Sequence, residues 1–152
     1  MNSKSLVIAA ASAAAIAMSG CNTVPTYPLD AGGKTYVDCR MTKDCQVKLS
    51  HSWWHTGYPD EIWVNVASNE KVYITWTIEG NDGTTFSEGD GIFLKDPALK
   101  ALFDCKQDPN KKHVYVCSNS RDLRPGGTYV YGIKTKGFFS GPDIDPVIKN
   151  GA

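Results

Sequence analysis

An all-β fold is predicted by three features of the amino-acid sequence. Apolar residues recur at every second position in several short runs. Clusters of Gly, Pro, Asn and Asp separate those runs, and only one stretch carries helical spacing. About seven short strands in roughly a hundred residues predict a two-sheet antiparallel sandwich closed around one core.

The elements follow in chain order. Residues 35–39 form a first short run, and residues 46–50 alternate Val47 and Leu49 with Gln46, Lys48 and Ser50. Residues 61–67 set Ile62, Val64 and Val66 on one face and Trp63, Asn65 and Ala67 on the other. The most regular run is 71–79, where Val72, Ile74, Trp76 and Ile78 oppose Tyr73, Thr75, Thr77 and Glu79. A period of two is what a strand needs when one face lies on a core. Residues 91–94, 113–118 and 128–135 supply three more candidates. Turn chemistry falls at Ser68-Asn69, Asn81-Asp82-Gly83, Asp108-Pro109-Asn110 and Pro125-Gly126-Gly127. Residues 97–104 open on a proline suited to a first helical position and carry Ala98, Leu99, Ala101 and Leu102, which predicts one short helical turn.

The four cysteines of this region, Cys39, Cys45, Cys105 and Cys117, are separated pairwise by five and eleven residues, without a CxxC. That spacing disfavours a zinc site and favours two local disulfides, Cys39–Cys45 and Cys105–Cys117. Disulfides in turn require an oxidising compartment.

The first twenty residues supply the route to one. Lys4 precedes thirteen uncharged residues from Leu6 to Met18. At helical rise these reach about 20 Å, short of a bilayer's hydrocarbon core, so they read as a cleaved signal and not a permanent span. The signal ends Met18-Ser19-Gly20-Cys21, which resembles the lipobox of bacterial lipoproteins. The resemblance implies acylation of Cys21 and attachment to the membrane by lipid. Asn22 in place of Asp favours, by the same resemblance, the outer membrane and its periplasmic side. The chain thus divides into a signal (1–20), a tether (21–34), a β-sandwich domain (35–136) and an irregular tail (137–152) carrying Pro142 and Pro146.

Charge removes one class of function. Sixteen basic residues balance sixteen acidic ones over the whole chain, which leaves no electrostatic footprint for nucleic acid. Catalytic signatures are missing as well: there is no GxSxG, P-loop or GxGxxG. The most unusual stretch is 50–63, SHSWWHTGYPDEIW, where Trp53, Trp54 and Tyr58 suggest an aromatic contact surface for an envelope protein or a glycan. His51 and His55, with His113, suggest an alternative as copper or zinc ligands. In one extended strand, however, the first two would stand about 13 Å apart. Asp60 or Glu61 would serve as acid or base if the protein were a small hydrolase. Glu88-Gly89-Asp90-Gly91 with Asp82 lacks the DxDxDG pattern and reads as a solvated turn.

From Val72 onward the features also resemble a cupredoxin-like sandwich: the Ile74-Thr75-Trp76 strand, Gly91-Ile92, and a closing strand from Gly127 to Ile133. An immunoglobulin-like sandwich has similar alternation. Copper cupredoxins place a cysteine ligand where this chain has Ile133, and no His or Met follows. The resemblance therefore implies the scaffold without the copper centre. Together these features predict a non-catalytic, lipid-anchored binding module with no cofactor.

Overall fold

The computed structural model describes residues 27–52, 55–80, 83–120, 122–137 and 145–151. The expected signal, Cys21, Trp53, Trp54 and Asp82 lie outside them. The fold is all-β, as expected. Twelve strands run among the described residues: β1 (Tyr36–Cys39), β2 (Asp44–Ser52), β3 (His55–Gly57), β4 (Glu61–Val64), β5 (Tyr73–Glu79), β6 (Thr85–Phe86), β7 (Ile92–Leu94), β8 (Phe103–Gln107), β9 (Val114–Asn119), β10 (Thr128–Ile133), β11 (Thr135–Lys136) and β12 (Val147–Asn150). One five-stranded sheet has the order β1-β4-β12-β10-β7, the other β3-β2-β5-β9-β8, and β11-β6 form a separate pair.

The alternation read from the sequence sets the core. In β5 and the residue before it, Val72, Ile74, Trp76 and Ile78 are buried, as are Ile62, Val64 and Val66 in and after β4. Residues of both five-stranded sheets form one hydrophobic cluster. Within it, Trp76 of β5 meets Tyr131 of β10 edge to face, with ring centres 5.5 Å apart, and its indole N–H donates to the Tyr131 hydroxyl at 3.4 Å. Phe103 and Tyr129 repeat the contact at 6.1 Å.

Both expected disulfides are present, Cys39–Cys45 and Cys105–Cys117. The first joins the end of β1 to β2 and so ties one sheet to the other; the second joins the paired strands β8 and β9. At the Ser68-Asn69 turn, Asn69 takes a positive φ of 65°, which asparagine tolerates. Its amide and the Ser68 hydroxyl both donate to the Asp122 carboxylate.

Four expectations are corrected. The sheets are mixed and not antiparallel throughout, because β1 and β12 both run parallel to β4, and β2 runs parallel to β5. Among the described strands of the two five-stranded sheets, only β2–β3 and β8–β9 are neighbours both in sequence and within a sheet. The helical turn is 3-10, covers Pro97–Leu102 only, and yields to β8 at Phe103. Asp96 caps it by accepting from the Ala98 amide at 2.9 Å. The tail is not irregular throughout: β12 lies in it, between β4 and β10. The tether reading fails from Tyr27 onward. The Tyr27 hydroxyl donates to the Lys48 carbonyl and accepts from the Lys48 amide at 3.0 Å. Asp30 closes a turn by accepting from the amides of Gly32 and Lys34, both at 2.8 Å, and Leu29 bridges Thr35.

Candidate functional site

The aromatic-rich segment is a hairpin that outruns its sheet. Asp44 to Ser50 of β2 pair with Tyr73 to Glu79 of β5, where β5 ends. From Ser50, which pairs on both sides, β2 runs on through His51 and Ser52, and these three residues pair in that order with Gly57, Thr56 and His55 of β3. Trp53 and Trp54 are, by sequence, the two residues that join the strands. The chain therefore reverses between His51 and His55, so the spacing of about 13 Å that one extended strand would give them does not apply. They occupy different strands on neighbouring rungs, His51 opposite Thr56 and His55 opposite Ser52. His113 is exposed at the same end of this sheet, where its carbonyl accepts from the Ile78 amide at 2.9 Å. Two strand spacings, about 10 Å, separate it from β2. Among the described residues, no group of three His, Cys, Asp or Glu side chains is placed to hold a metal ion.

The chain that leaves the hairpin is fastened at once. Tyr58 is half-buried and packs against the core cluster. Burial pushes its phenol pKa up, and the negative charges of Asp60 and Asp145 push it further. The Asp60 carboxylate accepts from the Thr35 amide at 2.8 Å and from its hydroxyl at 2.7 Å. In return the Asp60 amide donates to the Thr35 hydroxyl oxygen at 3.0 Å. These bonds lock the entry of β4 to the entry of β1, so the carboxylate serves the fold.

Glu61 is the least expected residue of the site. It opens β4 on the face away from the core and is nevertheless 1% exposed. Lys149 of β12 lies 2.8 Å from its carboxylate and Lys34 lies 3.6 Å away. The Trp63 indole N–H donates to the other carboxylate oxygen at 2.7 Å. Burial pushes the Glu61 pKa up, but the bonds from Lys149 and Trp63, with the charges of Lys149 and Lys34, outweigh it and leave the pKa below the ordinary value.

Trp63 in turn stacks on Tyr36 of β1, with ring centres 4.0 Å apart and planes 9° from parallel. The Arg40 guanidinium sits 4.9 Å from the Trp63 ring centre. Arg40 also forks onto Asp38 at 2.9 and 2.6 Å, and that hydrogen bonding holds the Asp38 carboxyl at about 2. The cluster spans β1, β4 and β12 and engages both Glu61 oxygens. Its chemistry is cohesion between three strands; neither Asp60 nor Glu61 is presented as a free acid or base.

The sequence reading missed this cluster. Its only signal was that Glu61 and Trp63 share one face of a strand, and a charged residue at such a position normally reads as solvated. Elsewhere, Asp90 of the Glu88–Gly91 stretch is ion-paired with Lys134 at 2.7 Å. Among the described residues no helix is long and apolar enough to cross a membrane. No protein-family model matches the chain, and neither does any curated protein.

Proposed function

We propose that this protein is a lipid-anchored, non-catalytic binding module of the bacterial envelope, which engages an envelope protein or a glycan through the β2–β3 hairpin. One observation carries the reading: the register of the hairpin leaves Trp53-Trp54 as its two-residue link. Two-residue links favour Asn-Gly, Asp-Gly or Gly-containing pairs, whose backbones accept the required turn. Two tryptophans bring no turn chemistry. What they bring is large amphipathic area suited to contact with a partner. Tyr58, just past β3, is the third contact residue.

The anchor is Cys21, six residues before Tyr27. Six residues span at most about 20 Å, so acylation there holds the domain against the bilayer surface, in the outer membrane and on its periplasmic side. Crosslinking in intact cells, followed by membrane fractionation, tests the reading on three chains. The wild type gives a crosslinked partner in the membrane fraction. The Trp53→Ala/Trp54→Ala variant loses the partner, keeps its place at the membrane and keeps its stability within about 0.5 kcal/mol. Cys21→Ser leaves the membrane fraction. Undiminished crosslinking by the tryptophan variant refutes the contact surface, and a large loss of its stability assigns both rings to packing.

A further inference from the structure

β8 closes one end of its sheet and is hydrogen-bonded to β9 alone. Its register with β9 is unbroken from Phe103 opposite Asn119 to Gln107 opposite Tyr115. Cys105 and Cys117 stand opposite each other with Cα atoms 4.0 Å apart, the close spacing of an antiparallel pair that exchanges no main-chain hydrogen bonds. The amide and carbonyl of Cys105 therefore point away from β9. By the alternation of the ladder, those of Phe103 and Gln107 do so too.

Two of the usual guards of an edge strand, a proline and a bulge, are absent from β8. Its two charges, Asp104 and Lys106, are exposed on the outer face and form no ion pair among the described residues. They have opposite signs and flank Cys105 symmetrically.

We infer that β8 is a self-association edge, at which a second copy of this chain adds its own β8 antiparallel about a two-fold axis at Cys105. Phe103 then faces Gln107 of the second copy, Asp104 faces its Lys106, and Cys105 faces its Cys105. All outward-pointing main-chain groups meet outward-pointing ones, in three pairs that exchange two hydrogen bonds each. Two cross-strand Asp–Lys pairs form on one face. Charge selects this register over its neighbours. A two-residue slip one way sets Asp104 against Asp104, and a slip the other way sets Lys106 against Lys106. The product is a continuous sheet across both molecules, with an isologous interface that closes on itself.

Sedimentation velocity of the full-length chain over a concentration series tests this, with hydrogen exchange at the Cys105 amide. A dimer is expected to grow with concentration while that amide becomes protected. Asp104→Lys and Lys106→Asp each set like charges opposite one another, and each raises the dissociation constant by at least about tenfold. The double variant restores opposite signs and with them the wild-type association. A wild type that stays monomeric at every concentration overturns the inference. So do single variants that associate as the wild type does, a double variant that stays apart, or a Cys105 amide that exchanges freely in a dimer.

Discussion

Glu61 shows how a carboxylate stays charged after leaving water. Burial alone would raise its pKa; Lys149, Trp63 and Lys34 together outweigh burial and lower it. Its folded pKa lies below the ordinary 4.5. The cluster therefore adds stability above that pH, and loses it as the pH falls through the folded pKa. Glu61→Gln is expected to cost about 2 kcal/mol at neutral pH. This is less than a fully buried pair would lose, because Lys149 can turn to water. Urea unfolding at neutral and at strongly acidic pH checks the sign: the gap between wild type and variant narrows as the acid range is entered. Asn150 is a second single-residue hub. Its side chain accepts from the Val66 amide at 2.8 Å and donates to the carbonyls of Val66, Leu123 and Arg124, which gathers three segments on one buried amide.

Among the elements, the two disulfides do different work. Cys39–Cys45 spans six positions and links strands of opposite sheets, whereas Cys105–Cys117 spans twelve and links strands already paired. Loop entropy assigns about 2 kcal/mol to the first and about 3 kcal/mol to the second. Replacing each pair by alanines and measuring thermal unfolding is expected to lower stability by those amounts. Both bridges were legible because each closes a short loop. The strands 61–64 and 73–79 were legible because strict alternation meets a one-sided core. β8 was not, since Phe103 is its only buried apolar residue and the preceding PALKAL carries helical spacing. β12 was hidden by brevity: Val147–Asn150 offers only Val147 and Ile148 as apolar residues, directly after Pro146. At the candidate site the residue types were legible and the hairpin was not, because Trp-Trp has none of the chemistry by which turns announce themselves.

At the scale of the whole molecule, the two sheets are assembled from strands that alternate between them, and β12 completes one from within. Ile148 of β12 is 2% exposed and faces the common core. Ile148→Ala is expected to cost about 3 kcal/mol. A chain stopped after Pro146 is expected to show no cooperative thermal transition, which calorimetry reads directly. β12 follows every other strand of its sheet in chain order and yet sits between β4 and β10. A growing polypeptide that has just delivered β10 still has an empty slot in the middle of that sheet. Closure must wait until Asn150 has emerged, so this sheet sets only after every other described strand has been made.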